Sequence, residues 1–454
     1  MTYRQLLARN ADFRRLWLGQ VVSEVGDWLN NIAVLALAIE LAGPERQGRA
    51  IAVYAVARHL PLFLFGPVAG VVTDRVDRKR LMVAADIIRA ALALGFLLAP
   101  LWRSLPVIYL VGASLFSVSA FFNAAKRATL PNLVGETEEL LAANSLSAAT
   151  TAATIAAGSA VGGLVATFAG RETVFILNAA TFIASAGIIR CITWKQKAEG
   201  GRQRAAGSGR GRRAEAPADL TAFRLLPSAF SVFRGVVVDF RAGLRYVRTD
   251  AVLAAVFVVA AGWGLGNGAA RALYSIFGAR LGELNAAGWL ARPKDFGISV
   301  LFVAMGLGGV LGAPLARRFN SGAARNLGAR MGRSLLFDGC GLVLFSLMPH
   351  LWGAAAVLVA REVNFAIWWT AQQTILMSRT ENAYAGRIFA SYETLTTLMM
   401  VGSMLAAGFA ADRYGIRPVA ACGGFVISLS GMAWFILRFR ERRRHALTDV
   451  HASR

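Results

Sequence analysis

The sequence predicts an all-α membrane protein of twelve transmembrane helices in two pseudo-symmetric six-helix halves. Three observations predict it. Apolar residues make up 56% of the 454, and the 46 glycines raise that to about two thirds, where soluble domains sit near about 45–50% with glycine included. Charged residues are only 17%, against about 25% in a soluble protein. Apolar segments recur roughly every 30 to 40 residues, each close to the roughly 20 needed to span the hydrocarbon core. Disorder is excluded, because it requires low hydrophobicity. A barrel is excluded as well, because it would show short alternating segments.

Taken in order, the elements begin with a basic N-terminus, MTYRQLLARNADFRRLW. The apolar segment after it is too long for a cleaved signal peptide, carries acids and has no small-residue cleavage site, so it reads as an uncleaved first membrane helix. Helices are predicted at 14–41, 51–73, 81–101, 105–125, 140–169 and 173–193, then at 251–274, 296–316, 334–348, 351–376, 388–411 and 418–438. Segments 105–125, 140–169, 251–270, 296–316 and 418–437 are long and uncharged and meet the spanning criterion outright. Only Pro349-His350 separates the ninth and tenth helices, which demands a tight turn.

Residues 194–250 interrupt the pattern. GGRQRAAGSGRGRRAEAPADL is rich in Gly, Ala and Arg and reads as a flexible linker. In the following FSVFRGVVVDFRAGLRYVRTD, Phe230, Phe233, Val237, Phe240, Leu244 and Val247 recur at helical spacing between arginines, as in an interfacial helix. The expected organisation is a first six-helix half at 1–193, a basic linker with an interfacial helix at 194–250, a second half at 251–440 and a basic tail at 441–454.

A net charge of +23 raises the question of nucleic acid. Its distribution answers it. With both ends placed in the cytoplasm, 36 of the 49 Lys and Arg fall on the inner side and 9 on the outer, leaving Arg58, Arg89, Arg271 and Arg361 inside helices. This is the positive-inside pattern of a multi-pass protein of the cytoplasmic (inner) membrane, and the basic side also attracts anionic lipid headgroups. No nucleic-acid partner is expected. Cys191, Cys340 and Cys422 are far apart, and His59, His350, His445 and His451 form no ligand cluster, so no metal or disulfide framework is expected.

The halves resemble each other. Gly163, Gly170 and Val174 recur as Gly408, Gly415 and Val419, an offset of 245; Gly70 and Arg75 recur as Gly312 and Arg317, an offset of 242. A duplicated six-helix unit is the architecture of secondary transporters, with the substrate site between the halves.

The sharpest motif lies between the second and third helices: Gly70-Val-Val-Thr-Asp74-Arg75-Val-Asp77-Arg78-Lys79-Arg80. It resembles the Gly-x-x-x-Asp-Arg-x-Gly-Arg-Arg/Lys signature of the major facilitator superfamily. The resemblance extends over the whole chain: two six-helix halves, a long central loop, both termini inside. It implies that Gly70 permits close helix packing and that Asp74 sits near the positive N-terminus of the eleventh helix, favouring one transport conformation. Asp77 replaces the usual glycine, and Asp tolerates left-handed backbone better than most residues. FRRLWLGQVVSEVGDWL and NAAKRATLPNLVGETEELLAANSL resemble the branch containing the enterobactin exporter and macrolide-efflux proteins. Two features of drug/proton antiporters are lacking. The fifth-helix pattern G-x-x-x-G-P-x-x-G-G stands here as Gly158-Ser-Ala-Val-Gly162-Gly163-Leu-Val-Ala-Thr, and the fourth helix, 105–125, contains no arginine.

Polar stripes complete the reading. Gln20, Glu24, Asp27 and Asn31 share one face of the first helix. Ionisable groups in the bilayer are costly and mark a cavity, a pathway or a partner. Asp27 is the first candidate for proton coupling and Glu24 the second; a static hydrogen-bond network is the alternative. Trp263, Asn267, Arg271 and Tyr274 form a comparable stripe on the seventh helix. Further cavity candidates are Arg58, a candidate partner of Asp27, and Arg361, Glu362, Trp368 and Gln372 on the tenth helix. Asp86, Arg89 and Asp338 are expected near the cytoplasmic helix ends as gate or structural pairs. No Walker loop or catalytic set is found, so no enzyme activity and no cofactor are expected. The expected function is secondary transport of a small amphipathic compound, drug-like or siderophore-like, by a monomer using proton antiport and alternating access. A lysophospholipid flippase and a non-transporting receptor or assembly partner are the alternatives.

Overall fold

A computed structural model describes residues 3–134, 137–193, 229–286, 288, 290–320, 327–381 and 384–452. The described residues contain helices and no strands. The first half comprises α1 (Tyr3–Arg9), α2 (Ala11–Ala42), α3 (Gln47–Arg75), α4 (Arg78–Gly95), α5 (Leu98–Trp102), α6 (Leu105–Leu133), α7 (Thr137–Phe168) and α8 (Arg171–Arg190). Then come α9 (Ala229–Val247), α10 (Ala251–Ala286), α11 (Pro293–Asn320), α12 (Leu327–Leu347), α13 (Leu351–Ser378), α14 (Ala385–Tyr414) and α15 (Ile416–Ala452). Among the described residues, eleven helices are long and apolar enough to cross a membrane. The twelfth expected span is α12, which carries Arg330, Arg333 and Asp338. The linker portion 194–228 lies outside the described residues.

Several boundaries differ from the sequence expectation for identifiable reasons. The helix expected at 81–101 breaks after Gly95 and resumes as α5. Pro100 explains the break: it has no N–H to give residue 96, and its ring would clash with that carbonyl. The fourth helix runs on to Leu133, so Lys126 and Arg127 are helix residues and not a loop. The last helix continues to Ala452 through Arg, Glu, Leu and Ala, all good helix formers, where a tail had been expected from 441.

Only the second half of the interfacial helix has described side chains. There it docks on α14: Tyr246 stacks on Tyr384 with centroids 4.6 Å apart, and Ser391 Oγ donates to the Phe240 carbonyl at 3.4 Å.

The repeat is visible in the packing. Gly170 opens α8 and Gly415 opens α15, both with positive φ (96° and 88°), so each needs the freedom of glycine. Gly163 on α7 packs across the halves against Ser299 on α11, and Gly408 on α14 packs across the halves against Gly48 on α3. A Cβ at either glycine would collide with its neighbour. The two halves therefore meet at two equivalent glycine contacts, as small residues permit in a membrane.

Candidate functional site

Both glycine contacts lie toward one side of the bundle, called here the far side; the opposite, terminal side carries both chain ends. Charge reinforces the far-side closure. Arg171 at the start of α8 donates from Nε and Nη2 to the two oxygens of Asp295 on α11, at 2.8 Å each, and from Nη1 to Glu40 on α2 at 2.5 Å. Asp295 is fully buried. Gly48 N donates to Asp412 on α14 at 2.7 Å, and Arg49 adds an ion pair at 2.9 Å. On the terminal side, a Cβ on Gly66 or Gly70 of α3, or on Gly386 of α14, would meet nothing within 4 Å. The halves thus close on the far side and part on the terminal side.

The signature motif lies on the parted side. Asp74 is 74% exposed, and its ion-pair partner is Arg78 at 3.9 Å, not the N-terminus of α14. Gly70 makes no close packing in this conformation. Asp77 adopts φ −61°, an extended conformation, and caps α4 by accepting from Arg80 N at 2.8 Å. The turn thus needs no left-handed residue, and aspartate serves as an N-cap. Arg78 donates to the Ala128 carbonyl at 2.8 Å and Lys79 to the Ile192 carbonyl at 2.6 Å, which ties the motif to α6 and the end of α8.

A cavity of about 460 Å³ opens on the terminal side of the first half, between α2, α6 and α7. Gln20, Lys126, Asn144, Ser147 and Thr151 make it polar. Beside it Glu24 gathers four partners: the Gln20 amide at 2.8 Å, Thr154 and Thr151 hydroxyls at 3.1 and 3.2 Å, and the Lys126 ammonium at 3.5 Å. Lys126 supplies the fourth-helix cation that the sequence assigned to a loop.

Asp27, one turn deeper, is held more loosely, by Arg89 at 3.8 Å. Arg89 is itself buried, paired with the fully buried Asp86 and sandwiched between the rings of Phe122 and Phe182 at 4.2 and 4.4 Å. Arg58 does not pair with Asp27. It donates to Asn31 Oδ1 and lies over Trp28 and Phe116 at 5.0 and 5.1 Å.

A second cavity, of about 90 Å³, sits beneath the far-side closure where the halves meet. Arg58 and His59 enter it from α3, Asn31 from α2, and Arg271 and Tyr274 from α10. The other candidates pack inside the second half. Trp368 packs against Trp263 with ring centroids 4.7 Å apart, Gln372 bonds Tyr392, and Arg361 bonds Tyr274 and pairs with Asp338 at 3.0 Å. Asn267 is buried and Glu362 half-buried. These residues line neither cavity. Sequence reasoning missed Lys126, the Arg171–Asp295–Glu40 cluster and Arg89 as the partner of Asp27. The cluster's signal was an acid and a base at the ends of apolar segments, which reads as loop charge.

A family model described as "Major Facilitator Superfamily" matches residues 16–403. Among curated proteins, the chain is 26% identical to an uncharacterised transporter of that type, YfiS of Bacillus subtilis (strain 168), over 95% of both chains. It is 26% identical to a putative bacilysin exporter, BacE of Bacillus subtilis, over 86% of both. It is 36% identical to macrolide efflux protein A of Streptococcus pyogenes, over 27% of this chain and 30% of that one. Among solved structures, a bacterial homologue of the iron transporter ferroportin, in an inward-facing state, superposes with a TM-score of 0.63 at 15% identity, covering 93% of this chain and 98% of the other. The nucleoside transporter NupG superposes at 0.62 and 12% identity, covering 93% and 99%. These structural likenesses concern the fold.

Proposed function

The chain belongs to the major facilitator superfamily, and on that premise we propose that it exports a small amphipathic compound across the cytoplasmic membrane by proton antiport. Proteins of this family are multi-pass membrane transporters of small molecules and not enzymes. The observation that carries the reading is the asymmetry of closure: a far side latched by Arg171, Asp295 and Glu40, and a terminal side open to a polar cavity beside Glu24, with Asp27 one turn deeper on the same helix face. With the basic loops placed in the cytoplasm, this is the inward-open member of an alternating-access pair. The relatives named for bacilysin export and macrolide efflux favour the outward direction.

Asp27 is the proposed proton carrier. The choice rests on geometry: four partners hold Glu24 in place, whereas a single ion pair at 3.8 Å holds Asp27. Proton arrival at Asp27 would free Arg89 to turn wholly to Asp86, coupling the cavity to the α2–α4 contact. The experiment is efflux of a compound panel from cells or uptake into everted vesicles. Substrate movement should collapse when an uncoupler dissipates the proton gradient. Movement that is indifferent to the uncoupler, across every compound carried, would refute antiport.

A further inference from the structure

The charges inside the bundle are mostly neutralised by one another. Lys126 has Glu24, Arg89 has Asp27 and Asp86, Arg361 has Asp338, and Arg171 has Asp295 and Glu40. The small cavity beneath the far-side closure departs from this rule. Two guanidiniums, Arg58 from the first half and Arg271 from the second, line it together with His59, and no acid does. Neither arginine has an ion pair at 4.0 Å or less among the described residues; Glu362 is within electrostatic reach of Arg271 but makes no such pair. Asp27 is likewise within electrostatic reach of Arg58 without pairing, and the guanidinium instead meets one amide oxygen and two ring faces. The remaining polar lining is donor-rich. Asn31 is 3% exposed and its Nδ2 has no partner, while Tyr54 and Tyr274 contribute hydroxyls. Around this polar face stand Trp28, Phe302 and Met305.

Two unneutralised guanidiniums and an unpartnered amide in a membrane interior are costly unless an anion joins them. The volume of about 90 Å³ admits a carboxylate or phosphate group and not a whole drug-sized molecule. We infer that Arg58 and Arg271 form a two-arginine clamp for an oxyanion borne by the transported compound, the substrate being an anionic or zwitterionic amphipath whose apolar part rests against Trp28 and Phe302. This rests on the transporter reading and adds the chemical class to it. Because each arginine comes from a different half, an oxyanion between them would also hold the halves together at the apex of the cavity, which a neutral compound could not do. Planar guanidinium forks suit carboxylate and phosphate alike. A free small-molecule acid and a lysophospholipid headgroup therefore share the chemistry.

The test is binding to the purified full-length protein in detergent, read by tryptophan fluorescence and by ligand-dependent thermal stabilisation. The probes are 4-phenylbutyrate, phenyl phosphate, the neutral 4-phenylbutyramide, the cationic 4-phenylbutylamine and a lysophosphatidylglycerol. Both free acids should bind at least about tenfold more tightly than the amide and the amine. Arg58→Gln and Arg271→Gln should each weaken the acids by about tenfold or more while leaving the amide unchanged, and Arg58→Lys should keep part of the affinity. Tenfold corresponds to about 1.4 kcal/mol. Preference for lysophosphatidylglycerol over phenyl phosphate would assign the clamp to a lipid headgroup, and the reverse to a free acid. Equal or tighter binding of the amide or amine, no binding of any acid, or glutamine variants that melt like wild type yet bind acids unchanged would each overturn the clamp. Because the readout is binding, a protein that prefers acids but moves nothing across vesicles would refute the transport reading and leave the clamp standing.

Discussion

The two halves carry buried ion pairs at matching depth but wire them differently. In the first half Asp86 and Arg89 pair on α4, and Arg89 reaches on to Asp27, whose side chain is 26% exposed. In the second half Asp338 on α12 and Arg361 on α13 pair with side chains 7% and 3% exposed, and Arg361 turns its remaining donor to the Tyr274 hydroxyl. Asp338 follows Asp86 by 252 residues, close to the 242 and 245 of the glycine repeats, so the acids occupy related places. The difference is the exit to water. One network ends in a carboxylate that is partly exposed; the other ends in a phenol, 2% exposed, that borders the small cavity beneath the far-side closure. A duplicated unit thus carries one charge network sealed within the second half and one whose last carboxylate is partly exposed, and the proposed antiport gives the proton to the exposed one.

The sharpest way to break this comparison is to neutralise the sealed acid. Asp338→Asn leaves Arg361 buried and uncompensated, which costs about 3–5 kcal/mol when a buried pair loses one partner. The expected outcome is loss of folded, monodisperse protein in detergent, restored in large part by the double change Asp338→Leu with Arg361→Met. If Asp338→Asn instead gives stable protein without transport, the second network is functional and the contrast drawn above is wrong.

Asp27→Asn is the complementary change and should act on transport, not on folding. The melting temperature should stay close to wild type, because only a 3.8 Å ion pair is lost and Arg89 keeps Asp86. Gradient-driven efflux should fall at least about tenfold, since the carrier can no longer alternate between charged and neutral forms. Glu24→Gln belongs beside it. Efflux that survives Asp27→Asn but not Glu24→Gln would move the proton site one turn along α2.

A smaller shift is expected at the far-side latch. Asp295→Asn removes the bidentate partner of Arg171 and leaves it with Glu40. Destabilising the closed side by about 1.4 kcal/mol would raise the outward-open population about tenfold. Met305→Cys, placed beneath the latch in a background lacking the native cysteines, should then react that much faster with an impermeant maleimide added from outside. An unchanged rate would show that the glycine contacts alone hold the halves shut.

Much of the fold was legible, because apolar runs of spanning length have few alternatives in a membrane. Helix ends were less so. Charge was read as the end of α6, yet Lys126 is held within the helix by Glu24, a partner about a hundred residues away that no local pattern reveals. The stripe of Gln20, Glu24, Asp27 and Asn31 was correctly one face, since periodicity is a local property. Which helix each member meets is not local. Arg58 was expected near Asp27 and instead found Asn31 and two aromatic rings, while Arg89 took the acid. The stripe on the seventh helix divides for the same reason: Arg271 and Tyr274 reach the cavity, whereas Trp263 packs against Trp368.

The smallest expected effect belongs to the motif that was easiest to see. Asp74 is 74% exposed here and 3.9 Å from Arg78, so Asp74→Asn should leave the stability of this conformation unchanged. Its repeat counterpart region behaves differently: Gly312 is packed tightly against Val363 and Ala366 on α13, while nothing approaches Gly70. That asymmetry makes sense if α3 and α14 close on each other at the terminal side in the outward-open state, bringing Asp74 toward the start of α14 and its unsatisfied N–H groups. A carboxylate at a helix N-terminus is worth about 0.3–1 kcal/mol, up to about 2 when partly buried. Losing it should cut the outward-open population, and with it turnover, by about two- to fivefold. Expression and melting temperature should not change. The same variant should slow labelling of Met305→Cys from outside, opposite in sign to Asp295→Asn. If Asp74→Asn speeds that labelling, or lowers stability in the inward-open state, the contact is made on the wrong side of the cycle and the role assigned to the motif fails.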